Sequence, residues 1–183
     1  MKGTLFGLGV GPGDPELLTL KAVRILSSVS VIAYPATETG ESFAREIAKD
    51  YIPDNLREII IRTPMNPNRF PEHDVYDKYS HQIRNYLDEG ADVAVLCEGD
   101  PFLYGSFMYI FSRLSEVYAT QVIPGVSSIG ACAAVSGRPL VSRNEVLSVI
   151  PATLKSNDLS RHINSAEAIA IMKVGRHFEK VRC

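Results

Sequence analysis

Short apolar runs alternate with helix-period segments along this chain, and most of the runs end in a glycine- or proline-containing turn. That alternation constrains the fold more than any other feature. Strands joined by helices run parallel, and a parallel sheet must be covered on both faces. The runs Thr4–Val10, Val29–Tyr34 (stopped by Pro35), Glu58–Arg62, Asp92–Cys97 and Thr120–Ile123 read as strands. Helices are expected over Glu16–Ser28, Ser42–Asp50, Asp74–Glu89, Ser106–Leu114 and Ser127–Ser136. Asp14, Pro15 and Glu16 give the first of them an N-cap, a proline at the first helical position and an acid in the first turn. The character changes near Gly137–Val141. Beyond it, Val146–Ile150 and Ala168–Met172 read as strands with a weaker helix between them. The expected architecture is α/β in two domains: 1–136 around a mostly parallel sheet, and 137–183 as a second α/β domain.

A chain of 183 residues, 45% hydrophobic and 22% charged, can bury a sizeable core. This composition excludes a disordered tail and a small disulfide scaffold. Nineteen basic against twenty-one acidic residues give a formal charge of -2, without the basic excess expected of a nucleic-acid binder. No apolar run reaches the ~18 residues that a membrane-spanning helix needs, and the N-terminus has no signal-peptide pattern. Cys97, Cys132 and Cys183 match no zinc spacing and read as reduced thiols, which predicts a cytoplasmic protein. His73, His81, His162 and His177 are scattered without ligand spacing, so no metal site is expected. The chain has no G-x-S-x-G elbow, which argues against a hydrolase of that type.

In open parallel sheets, ligands sit beyond the carboxyl ends of strands, and three glycine turns fall at such ends here. The first is Gly9-Val10-Gly11-Pro12-Gly13-Asp14. Dinucleotide spacing fails in both frames, because the third glycine of G-x-G-x-x-G would have to be Pro12 or Asp14. A nucleotide-binding oxidoreductase is demoted accordingly. The second turn, Cys97-Glu98-Gly99-Asp100-Pro101-Phe102-Leu103-Tyr104-Gly105-Ser106, has two readings. In one, Asp100 caps a helix ahead of core aromatics. In the other, backbone groups hold a polar ligand and Asp100 receives a cation or hydroxyl donors. The third turn is Pro124-Gly125-Val126-Ser127-Ser128, followed by the small residues Gly130, Ala131, Cys132, Ala133 and Ala134. Close approach of a ligand and packing of a second helix both account for that run. The proline-containing Thr63–His73 stretch is a candidate lid.

These turns, in this order, resemble those of the tetrapyrrole (corrin/porphyrin) methylases. The resemblance rests on Gly9-Val10-Gly11-Pro12-Gly13-Asp14-Pro15 with Leu17-Leu18-Thr19, on Gly99-Asp100-Pro101, and on Pro124-Gly125-Val126-Ser127-Ser128. The longer string from Cys97 to Tyr109 is similar to the branch that methylates C(20) of precorrin-2 or cobalt-factor II. The resemblance implies a two-domain methyltransferase, a homodimer, using S-adenosylmethionine on a tetrapyrrole. It implies cofactor contacts from Pro12, Gly99, Asp100, Leu103, Tyr104, Ser127, Ser128 and Met172. The family pattern continues beyond the point matched by Cys183, so the second domain is expected to be incomplete. Another tetrapyrrole methylase of the same pathway, and a non-catalytic binding protein, are the remaining alternatives.

Methyl transfer to an electron-rich, enamine-like carbon needs alignment more than a strong base. A meso proton must then leave, and Tyr104 and Glu98 are its candidate acceptors by placement. The substrate's many carboxylates call for basic residues around them. Arg62, Arg69, Arg138 and Arg143, in or near expected loops, are candidates for that rim.

Overall fold

The structure is a computed structural model and describes residues 1–62 and 73–182. It divides into two compact units, Met1–Ser128 and Ile129–Cys183. The division falls inside the first turn of a helix, Ser128–Ser136, rather than after it at Gly137. None of that helix's residues is fully buried. The Thr63–His73 loop, with Arg69, lies outside the described residues up to the start of the helix that begins at His73, and so does Cys183.

The first unit is a five-stranded sheet built from β1 (Leu5–Gly9), β2 (Val31–Ala36), β3 (Arg57–Arg62), β4 (Val93–Cys97) and β5 (Thr120–Ile123). Their spatial order is β3-β2-β4-β1-β5, and every pairing is parallel. The helices between them are α1 (Leu20–Leu26), α2 (Phe43–Ala48), α3 (His73–Asp88) and α4 (Phe107–Leu114). Period-2 alternation sends side chains to opposite faces, and β4 shows the result most clearly. Its Val93, Val95 and Cys97 join Ile83, Leu87, Phe107, Ile110 and Leu114 of α3 and α4. Its Ala94 and Leu96 join Ala22, Ile25, Leu26, Ala44 and Ile47 of α1 and α2. Fully burying one such aliphatic or aromatic side chain contributes about 1.5–3 kcal/mol, which is why a strand buried on both sides reads as one unbroken apolar run.

Two local expectations need correction. The helix expected over Glu16–Ser28 is split. Asp14 does accept the Glu16 N–H at 2.9 Å, but the element it caps is a short 3-10 turn, Pro15–Leu17. Leu18 and Thr19 are extended, and the Thr19 hydroxyl then caps α1 by accepting the Ala22 N–H at 3.1 Å. A second N-cap residue inside the apolar periodicity was the local signal for this break. Pro35, expected to stop β2, lies inside it and pairs in register with Ile61 of β3. β4 accompanies β2 only over Val31–Ala33, so Pro35 falls where the strand has one neighbour rather than two.

The second unit holds α5 (Ser128–Ser136, entered from Ser128), β6 (Leu147–Pro151), α6 (Ser156–Ser165), β7 (Ala168–Met172) and α7 (Phe178–Arg182). β6 and β7 pair in parallel as a two-stranded sheet. No helix among the described residues is long and apolar enough to cross a membrane.

Glycine at position 7 is a packing requirement. A Cβ there would stand 2.3 Å from the Phe107 ring, which is fully buried under β1. Gly7→Ala is expected to destabilise the protein by about 1–3 kcal/mol through overpacking. Adding Phe107→Leu should recover part of the loss, read as a coupling energy in a double-mutant denaturation cycle.

On the other face, the Tyr34 hydroxyl donates to Glu58, and Arg45 grips the same carboxylate through Nε at 2.9 Å and a terminal nitrogen at 2.8 Å. The Arg45 hydrogen bonds hold the Glu58 carboxyl below its ordinary range. A carboxylate depressed in the folded state adds stability above its unfolded pKa, and that stability is lost as pH falls through the folded value. Glu58→Gln should therefore cost on the order of 1 kcal/mol near neutrality. The gap from the parent protein should close in urea titrations carried below the ordinary glutamate pKa.

Candidate functional site

α1 leaves β1 toward one face of the sheet, and α4 leaves β4 toward the other, although the two strands are neighbours. Adjacent strands whose connections diverge in this way open a crevice beyond their carboxyl ends. All three glycine turns meet there. Val10 N–H donates to the Cys97 carbonyl at 2.9 Å. One residue on, Gly11 and Gly99 form an isolated antiparallel bridge, with the Gly99 N–H on the Gly11 carbonyl at 2.7 Å.

The loop after β5 lies directly against these two. A Cβ on Gly125 would stand 2.0 Å from the Gly99 oxygen, and one on Gly9 would stand 2.5 Å from the Gly125 nitrogen. Backbone therefore touches backbone where three strands end, a packing that no side chain permits. Gly99 itself has φ +63, a conformation that favours glycine, yet its surroundings are open: the nearest atom to a Cβ there is the Val126 oxygen at 3.9 Å.

Asp100 locks this junction. One carboxylate oxygen accepts the Phe102 N–H at 2.9 Å, and the other accepts the Gly125 N–H at 3.1 Å, 25 residues away in sequence. It does not cap α4, which begins at Phe107 after Ser106. The turn it does organise carries Leu103, whose N–H donates to the Asp100 carbonyl at 3.3 Å. Tyr104 follows with φ +53 and a 37% exposed side chain. A left-handed conformation costs a non-glycine residue about 1–2 kcal/mol, and such strain collects at functional sites.

The other sequence-selected residues fall in four groups. Half-buried Pro12 and Ser127, and Ser128 at the start of α5, lie in the loops after β1 and β5, at the same edge as Gly99, Asp100, Leu103 and Tyr104. Exposed Glu98 directly follows β4. Met172, Arg138 and Arg143 belong to the second unit, where Met172 ends β7 opposite Pro151. Arg62 ends β3, at the carboxyl edge of the first sheet.

Two buried groups near the edge are poor acid–base agents at neutral pH. Burial pushes the Cys97 thiol up to about 12. It does the same to the Tyr76 phenol, which packs on Tyr109 with ring centroids 4.7 Å apart. Glu98 and Tyr104 are the exposed ionisable side chains beside the junction. Among the described residues, no group of three or more His, Cys, Asp or Glu side chains is arranged to hold a metal ion. Sequence reasoning missed Gly9 and Gly125 as a contact pair. Their only signal was one glycine in each turn, and spacing within a turn says nothing about contact between turns.

The profile of the Tetrapyrrole (Corrin/Porphyrin) Methylases matches residues 4–182. The chain is 39% identical over 189 residues to the cobalamin biosynthesis protein CobIJ of Mycobacterium tuberculosis (strain ATCC 25618 / H37Rv). That match covers 99% of this chain and 37% of the other, so the chain spans little more than a third of CobIJ. It is 37% identical over 188 residues to the precorrin-2 C(20)-methyltransferase of Sinorhizobium sp, covering 98% of this chain and 77% of that one. Among solved structures, the uroporphyrin-III C-methyl transferase of Thermus thermophilus complexed with S-adenyl homocysteine superposes with a TM-score of 0.65 at 25% identity. There the match covers 95% of this chain and 72% of the other.

The junction predicts a graded response to substitution. Asp100→Ala leaves two backbone donors without their acceptor and is expected to cost about 1–3 kcal/mol. Asp100→Asn can keep one acceptor but turns an N–H toward the other donor, so it should fall between Asp100→Ala and the parent. Gly125→Ala, which forces backbone against backbone, should be at least as severe as Asp100→Ala. Guanidinium denaturation midpoints of the three variants test the order.

Proposed function

The chain belongs to the tetrapyrrole (corrin/porphyrin) methylase family, and from that premise we propose that it transfers a methyl group from S-adenosylmethionine to the C(20) meso carbon of precorrin-2 or its cobalt form. The observation that carries this reading is the 37% identity to a precorrin-2 C(20)-methyltransferase over 98% of the chain. The open glycine junction at the sheet's carboxyl edge supports it.

The residues present fit a polar, zwitterionic cofactor. At Gly99 the nearest atom to the site of a Cβ is the Val126 oxygen at 3.9 Å, so no side chain of its own stands between its backbone and a ligand. The Asp100 carboxylate accepts one amide of its own chain on each oxygen and so holds the loops after β4 and β5 in position, and with Tyr104 it is also proposed to border the cofactor on the resemblance alone. Pro12, Leu103, Ser127, Ser128 and Met172 are proposed as further cofactor contacts on the resemblance alone. When bound, S-adenosylmethionine supplies an electrophilic methyl group on a sulfonium. The chain's own work is then alignment, which a rigid three-loop junction serves better than a mobile loop. Glu98 and Tyr104 are proposed to take up the meso proton that the methylated carbon releases. Both are exposed at the end of β4 or in the turn that follows.

Titration calorimetry is expected to show binding of S-adenosylhomocysteine and none of NADH. Anaerobic incubation with S-adenosylmethionine carrying a labelled methyl group should place the label on precorrin-2 or its cobalt form. Binding of NADH without S-adenosylhomocysteine, or label on neither tetrapyrrole, overturns the reading.

A further inference from the structure

The carboxyl edge of the sheet continues past the glycine junction toward β3, and two side chains on that stretch are exposed. Phe43, the first residue of α2, is 54% exposed. Its ring tip lies 3.4 Å from where a Cβ of Gly13 would stand, which puts the ring against the loop after β1. Arg62 ends β3 opposite Ala36 of β2. Its backbone N–H donates to the Tyr79 hydroxyl at 3.1 Å, which fixes the end of the strand. Its guanidinium reaches beside Gly40, with a terminal nitrogen 3.5 Å from the site of a Cβ.

That guanidinium is exposed and forms no ion pair with any described carboxylate. Glu38 and Glu41 stand in the same β2–α2 loop, and neither pairs with it. The neighbouring arginine is in the opposite condition. Arg45 is committed to Glu58 through two hydrogen bonds and has no free fork to offer a ligand. Among the described residues on this part of the edge, Arg62 is thus the arginine that has no carboxylate partner and can offer a bidentate fork.

We propose that Phe43 and Arg62 form the substrate-binding extension of the site, with the ring under the macrocycle and the guanidinium on one of its peripheral carboxylates. The inference rests on the methyl-transfer reading above and assigns to it residues that bind the acceptor rather than the donor. Three strand spacings of about 4.8 Å separate β1 from β3, about 14 Å in all. That is the span of a flat tetrapyrrole with acid side chains, lying from the glycine junction to Arg62. An exposed aromatic ring flanked by a guanidinium without a carboxylate partner among the described residues suits a ligand that is apolar in its plane and anionic at its rim.

The test compares the full chain with Arg62→Gln, Arg62→Lys, Phe43→Ser and Arg57→Gln. Arg57 starts the same strand at the opposite edge and serves as the charge control. Each protein is assayed for its KM for precorrin-2 and, by calorimetry, for its affinity for S-adenosylhomocysteine. Arg62→Gln is expected to raise the KM about tenfold or more and to flatten its dependence on salt. Arg62→Lys should restore part of the loss. Phe43→Ser should raise the KM without changing the salt dependence, and Arg57→Gln should match the parent. S-adenosylhomocysteine affinity should be unchanged throughout. If the parent methylates precorrin-2 and Arg62→Gln does so with the same KM and salt slope, the extension is wrong and the methyl-transfer reading stands. If the parent neither binds S-adenosylhomocysteine nor methylates precorrin-2, both fall together.

Discussion

One hydrogen bond, from the Gly125 amide to the Asp100 carboxylate, joins the loops that follow β4 and β5 across 25 residues of sequence. A charge-assisted bond of this kind contributes about 1.5–3 kcal/mol, but its position counts for more than its strength. It fixes the loop after β5 against the loop after β4, and the bridge between Gly11 and Gly99 ties in the loop after β1. With three backbones in contact, none of the loops can shift alone. The junction is therefore held in one arrangement.

The junction is only possible because of the sheet beneath it. β4 is inserted between β1 and β2, so β1 and β4 are neighbours whose helices pack on opposite faces. Had α1 and α4 covered the same face, the loops leading to them would have shared one side and left no crevice. The same order carries Arg62 and the β2–α2 loop onto the edge that holds the glycines, three strands from β1. Donor and acceptor regions of one site can then lie along one line of strand ends.

Several polar and ionisable groups in the first unit serve structure. Cys97 ends β4 next to the junction, but burial keeps it a thiol. Glu58 sits between Tyr34 and Arg45 and holds α2 to β2 and β3. Asp100, the acid best placed by sequence to meet a ligand, is engaged by two amides of its own chain.

The sequence by itself determined the five parallel strands of the first unit, because a strand buried on both faces needs a continuous apolar run and each run here is bounded by turn residues. It also determined that the three glycine turns lie at carboxyl ends, and their residues carried the family resemblance. It could not decide that Thr19 rather than Asp14 caps α1, since both are good N-cap residues and only packing against β1 and β2 selects between them. Nor could it decide the strand order, the contact of Gly9 with Gly125, or that Arg45 rather than Arg62 pairs with Glu58. Those depend on which residues far apart in the chain become neighbours, and tertiary packing alone settles that, by burying both faces of one sheet at once.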